Sequence, residues 1–118
     1  MPDRYRARLK YTGASTAIFD GMMSSRHDHT SFADCVGTRM RIRAGEQQFE
    51  AELERVELLN RQPQQDYQPF ALLFQADSGE DHGQRTYRVE HPQLGPIDMF
   101  LVPIGPGTRG MRYEAVFA

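Results

Sequence analysis

Residues 39–54 read Arg39-Met40-Arg41-Ile42-Arg43-Ala44-Gly45-Glu46-Gln47-Gln48-Phe49-Glu50-Ala51-Glu52-Leu53-Glu54, and their alternation decides the fold. Met40, Ile42 and Ala44 alternate with arginines, and Phe49, Ala51 and Leu53 alternate with glutamates. A period of two marks a strand with one buried face. A two-residue turn at Gly45-Glu46, with glycine in the first central position, is what a type II′ hairpin prefers. That turn sets Ile42 opposite Phe49 and Met40 opposite Ala51 on the apolar face. It also sets Arg41 opposite Glu50 and Arg39 opposite Glu52 on the polar face. One register serves both faces, at roughly 0.2–1 kcal/mol per cross-strand pair. A helix competes over residues 47–60, because Phe49, Leu53, Val56 and Asn60 have helical spacing. The strand reading needs a change of parity between Leu53 and Val56, which a β-bulge supplies.

Outward from this hairpin the chain reads as further strands. Phe70-Ala71-Leu72-Leu73-Phe74 is apolar on both faces, as in a strand covered on two sides. Tyr87, Val89 and His91 alternate with Thr86, Arg88 and Glu90, and Pro92 stops that ladder. Ile97 to Val102 is the next strand. Pro103 to Gly110 reads as a reversing loop, and Met111 to Phe117 as the last strand. Upstream, Ser31 is placed to cap a short helical turn through Cys35, ended by Gly37. The fold class is therefore all-β: a small six-stranded, mainly antiparallel barrel or sandwich with one short helix before the first strand.

The chain has 118 residues, enough for one domain. Its charged content of 25% and hydrophobic content of 39% set it apart from disordered compositions. No run approaches the ~18 apolar residues of a membrane helix. A net charge of −2 argues against a generic nucleic-acid binder. One cysteine rules out an intrachain disulfide. No apolar run of ~7–15 residues follows the basic start, so a cytoplasmic location is expected. The charge divides unevenly. Residues 1–30 hold five bases and three acids, a local +2, and residues 31–118 carry a local −4. We read 1–30 as a basic N-terminal arm, disordered or partner-docking, and 31–118 as a compact β domain. Tyr5, Ala7, Leu9 and Tyr11 alternate with Arg4, Arg6, Arg8 and Lys10, a strand-like period that lets the arm pair with a sheet edge, its own or a partner's.

Several segments carry a family resemblance from about Phe32 to Phe117. They are Val36-Gly37-Thr38, Pro69 to Phe74, Tyr87 to Gly95, Phe100-Leu101-Val102-Pro103-Ile104-Gly105-Pro106, and Arg112 to Phe117. Through them the chain resembles a family of small bacterial proteins known as a domain of unknown function. The resemblance implies no assigned activity, a setting near phage-tail-like and collar-type genes, and strand over helix for residues 47–60. It covers none of the first thirty residues.

Candidate chemistry is sparse. His27-Asp28-His29 holds metal-ligand types, but a structural zinc site needs four ligands. His91 beside Glu90 suggests a general base, yet sequence neighbours on a strand point to opposite faces. We expect His91 to be structural, its ring bonded to a loop carbonyl near Gly95. Cys35 reads as a small buried thiol, and Asp77, Glu80 and Asp81 as a solvated hairpin turn. The loop Gly105–Gly110 lacks phosphate-loop spacing. No catalytic residue, metal or cofactor is assigned. The leading expectation is a non-enzymatic interaction or assembly module, a structural or accessory component of a phage-tail-like assembly. It would act through a protein partner or self-association by the arm residues Arg4, Tyr5, Arg6, Arg8, Lys10 and Tyr11. The alternative is a small-ligand-binding β-barrel with a cavity between Tyr87, His91 and Tyr113. The third reading is a weak hydrolase using His91 and Glu90.

Overall fold

The computed structural model describes the backbone of Tyr5–Arg8 and all of residues 28–118. In chain order the elements are β1 (Tyr5–Arg8), α1 (His29–Ala33), β2 (Arg39–Ala44), β3 (Gln47–Leu59), β4 (Phe70–Ala76), β5 (Arg85–His91), β6 (Gly95–Pro106) and β7 (Met111–Phe117). The order β3-β2-β5-β6-β7-β4 closes through a β3–β4 pairing into a six-stranded antiparallel barrel, and β1 lies outside it, against β3. Barrel, not sandwich, is the outcome. α1 precedes the first barrel strand, as expected.

The β2–β3 hairpin has the register read from the sequence, with Arg39↔Glu52, Met40↔Ala51, Arg41↔Glu50 and Ile42↔Phe49. Gly45 takes φ 60°, and among the described residues no non-glycine residue has positive φ, which fits the type II′ turn. Residues 47–59 form a strand, and its register against β4 shifts between Leu53 and Arg55. Burial changes parity there, with Leu53 and Val56 both inside.

Two long strands close the barrel. The first half of β3 pairs with β2 and its second half with β4. The first half of β6 pairs with β5 and the remainder with β7, with a register shift between Pro103 and Gly105. Both bulges fall where the strand passes from one neighbour to the next. A bulge adds local twist, which lets one strand turn a barrel corner.

The structure differs from the sequence reading at three points. The helix is capped by Asp28 rather than Ser31: the Asp28 carboxylate accepts from the Thr30 and Ser31 amides and from the Thr30 hydroxyl at 2.6–3.3 Å. An N-cap carboxylate answers the orphan amides better than a hydroxyl three residues on, already inside the helix. β6 runs on to Pro106, so the reversing loop is only residues 107–110, closed by the Gly107 amide on the Gly110 carbonyl at 2.7 Å. Residues 77–84 do not close a hairpin, because β7, not β5, pairs with β4 along that edge. They cross an end of the barrel instead.

Side chains fill the interior. Met40, Ile42, Leu53, Phe70, Leu72, Phe74, Tyr87, Met99, Leu101 and Tyr113 are each at most 2% exposed. Phe32, from α1, packs with its ring 5.9 Å from those of Phe70 and Phe117, at one end. Phe49 stacks on His82 at 4.5 Å and meets Tyr87 edge-on at 5.9 Å, toward the other.

Candidate functional site

Two places on the barrel wall stand out, an edge of β3 that β2 does not cover and a cleft where β2 and β5 part. The first is the edge of β3. β2 begins at Arg39, opposite Glu52, so the later part of β3 extends beyond it. Gly37 and Thr38 cover Leu53 through two backbone hydrogen bonds of 2.8 and 3.0 Å. Beyond them β1 lies parallel to β3, with Tyr5↔Val56, Arg6↔Glu57, Ala7↔Leu58 and Arg8↔Leu59. Of the candidate arm residues, Tyr5, Arg6 and Arg8 thus belong to a strand on the protein's own sheet edge. Arg4, Lys10 and Tyr11 lie outside the described residues, as does His27.

The second is an open cleft of about 420 Å³ where β2 and β5 part. Their pairing stops at Arg41↔Glu90, and β5 ends at His91 before Pro92 turns the chain into β6. Arg39, Arg41, Glu50 and Glu90 line the cleft, with Met40 and His91 below them and Pro92, Gly95 and Pro96 as a wall. The cross-strand register was legible in the sequence, but the ion pairs run differently. Arg39 reaches Glu50 at 3.2 Å and also Asp77, while Glu52 is held by Arg109 at 2.9 Å. Arg43 holds Glu90 at 3.0 Å, and Arg41 stands 4.0 Å from Glu90. Arginine is long enough to reach a diagonal neighbour across a twisted pair. The β2–β5 pairing joins strands 40 or more residues apart, so no local period signals it.

His91 is a structural ligand of the turns around it. The Thr38 hydroxyl donates to the Cys35 carbonyl at 2.6 Å, so toward His91 Nε2, 3.0 Å away, it acts as acceptor. Nδ1 accepts the Gln93 amide at 3.1 Å. One nitrogen donates and the other accepts, which defines the neutral ring. Burial lowers the pKa of His91, in the same sense. Its partner is therefore an amide in the β5–β6 turn, not a carbonyl near Gly95. The same turn ends at Gly95, whose φ of 76° favours glycine.

Tyr87 and Tyr113 do not line this cleft with His91. The Tyr87 hydroxyl lies 2.9 and 2.6 Å from the His82 and Gly83 carbonyls. The Tyr113 hydroxyl accepts the His82 amide at 3.1 Å and donates to the Glu80 carbonyl at 3.3 Å. Together they pin the crossing segment over the barrel end, and burial raises both phenol pKa values. Cys35 is buried, and that burial, with Asp34 nearby, pushes its thiol up. Asp77, Glu80 and Asp81 are exposed, and Asp81 accepts the Gly83 amide at 2.7 Å. Among the described residues no group of three or more His, Cys, Asp or Glu is placed to hold a metal ion, and no helix is long and apolar enough to cross a membrane.

Over residues 27–117 the chain matches a family described as Domain of unknown function (DUF6916). The match starts at His27, ahead of Phe32 where the resemblance begins, and so takes in the Asp28 cap and the whole of α1. No curated protein and no solved structure matches the chain.

Proposed function

We propose that this chain, which belongs to the DUF6916 family of domains of unknown function, is a non-enzymatic assembly module that joins partners by strand addition at the edge of β3. The observation that carries this reading is β1 itself. A strand from residues 5–8 is parallel to residues 56–59 and reaches α1 only through the 20 residues between Arg8 and His29. Fully extended, those residues span about 70 Å, against a longest molecular dimension of 40 Å. A strand on so long a connection meets the same edge on a neighbouring copy with equal backbone complementarity. The opposite charges of residues 1–30 and 31–118 favour that encounter. The finer placing, as a component or accessory of a phage-tail-like assembly, rests on the family resemblance alone.

The filled interior weighs against the ligand-binding barrel. The engagement of both His91 nitrogens, and of Glu90 by Arg43, weighs against the hydrolase.

The test is light scattering coupled to size-exclusion chromatography, over a range of concentrations and at low and high salt. The comparison is between the full chain and the double variant Arg6→Pro/Ala7→Pro. Proline removes ladder amides at two successive positions, one of which faces β3 whatever the phase. Concentration-dependent assembly of the full chain, lost in the variant and weakened by salt, is expected. Full chain that stays monomeric throughout, or variant that assembles equally well, refutes the proposal.

A further inference from the structure

The cleft between β2 and β5 has a geometry that selects one kind of chain end. It is independent of the β1–β3 pairing.

Thr38 offers its carbonyl to the Leu53 amide at 3.0 Å, which places even-numbered β2 residues in hydrogen-bonded pairs with β3. The odd-numbered residues therefore turn their amides and carbonyls toward β5. Arg43 and Arg41 find Arg88 and Glu90 there. The next odd residue is Arg39, and the register would set it against Pro92, which has no amide proton and lies beyond the end of β5. The main-chain donor and acceptor of Arg39 thus open into the cleft, beside a wall of Pro92 and Pro96. Two prolines cost no side-chain ordering on contact, so the wall is preformed.

An extended segment laid beside Arg39 cannot run on along β2, because β5 holds that line from Glu90 onward. The segment must end there. Parallel to β2 it ends in a carboxylate, and antiparallel in an ammonium group. The charges decide between them. Glu50 is engaged by Arg39 and Glu90 by Arg43, at 3.2 and 3.0 Å. Arg41 stands 4.0 Å from Glu90 and, among the described residues, donates no hydrogen bond, with its side chain 52% exposed. A guanidinium with its planar fork unfilled fits a carboxylate bidentately. We infer that this cleft captures the C-terminal carboxylate of a partner polypeptide, bound as a short strand parallel to β2. The carboxylate sits on Arg41, the preceding peptide unit on the Arg39 backbone, and an apolar last side chain between Met40 and Pro96.

The experiment is a ¹H–¹⁵N NMR titration of the full chain with acetyl-Gly-Val-Thr-Val bearing a free C-terminal carboxylate. Parallel titrations use the same peptide as its C-terminal amide, and N-acetylvaline. The acid should perturb amides of residues 38–41, of Glu90 and His91 and of residues 93–95, and saturate in the millimolar range or below. The amide should bind at least tenfold more weakly, and Arg41→Gln should weaken the acid by the same factor. Arg41→Lys, which keeps charge but not the fork, should fall between. Arg41 is exposed, so a spectrum of unchanged dispersion checks that the variants are folded. Equal binding of acid and amide, undiminished binding by Arg41→Gln, or no saturating change up to 10 mM peptide overturns the assignment. N-acetylvaline binding as tightly as the tetrapeptide would assign the cleft to small carboxylic acids and overturn the polypeptide end.

Discussion

Phe32 reaches the barrel from a helix of only five residues, and replacing it tests whether α1 belongs to the core. Its side chain is 0% exposed and its ring is 5.9 Å from those of Phe70 and Phe117, which stack at 4.8 Å. Phe32→Ala removes roughly 120–150 Å² of buried apolar surface, about 3–4 kcal/mol at ~25 cal/mol per Å². Measured Phe→Ala changes in cores run to about 3–5 kcal/mol once the cavity is included. Against a total stability of about 5–15 kcal/mol the change is severe. The chain has no tryptophan and five tyrosines, so urea unfolding is followed by far-ultraviolet circular dichroism and tyrosine emission. With a denaturant slope of about 1.5–2 kcal/mol/M, the midpoint should fall by about 2 M. Phe32→Leu, which keeps most of the volume, should lose about 1–1.5 kcal/mol. A loss below about 1 kcal/mol for Phe32→Ala would show that α1 is peripheral and that the reasoning from its burial is wrong.

Gly110→Ala and Gly45→Ala should both destabilise, for different reasons. A Cβ at 110 would meet the Ser78 carbonyl oxygen at 2.6 Å and Ala76 closer still, both backbone, and should cost about 1–3 kcal/mol in urea midpoint measurements. A Cβ at 45 meets nothing within 4 Å, so only the φ of 60° opposes it, at about 1–2 kcal/mol. Tyr87→Phe leaves the His82 and Gly83 carbonyls without their phenol, and should cost about 1–1.5 kcal/mol and speed amide exchange in residues 80–83. For His91, whose folded pKa lies below its unfolded value, the unfolded chain binds the proton more tightly. Its contribution is full above the unfolded pKa of about 6.5 and is lost as pH falls through that value toward the folded one. Urea midpoints at pH 7.5 and 5.5 should therefore differ less in His91→Gln than in the wild-type chain, and an unchanged difference would refute the assignment.

Much of the fold was legible because its signals are local. The Arg39–Glu54 alternation, the glycine at 45 and the parity break after Leu53 lie within a few residues of one another; a slip of one residue would turn an apolar set outward, and the two-residue turn at Gly45-Glu46 fixes the register. Phe70 to Phe74 reads as apolar on both faces, and residues on both faces of β4 are indeed buried. What could not be read was closure. The sequence of a strand shows which face it buries but not which strands lie beside it. The neighbour of β2 across from β3 is β5, more than 40 residues on, and β4 is flanked by β7, not by the strand that follows it.

The candidate site was hidden for the same reason, and Arg39 and Arg41 show how. In sequence they alternate with apolar residues and face two glutamates across a hairpin, which reads as a neutral, self-paired surface. Charge balance counted along one hairpin stops being informative once a third strand brings Glu90 and a neighbouring loop brings Asp77. Arg39 then acquires two carboxylates, Glu90 goes to Arg43, and Arg41, flanked by both, makes the weakest contact of the three. The backbone argument has the same origin. A proline after His91 is visible in the sequence as the stop of one strand. Only the β2–β5 register shows that it also leaves the amide and carbonyl of Arg39 facing a gap. A binding edge here is thus a product of two unremarkable local signals, a strand stop and an arginine stripe. They become chemistry when non-local pairing sets the end of one strand against the unfinished edge of another.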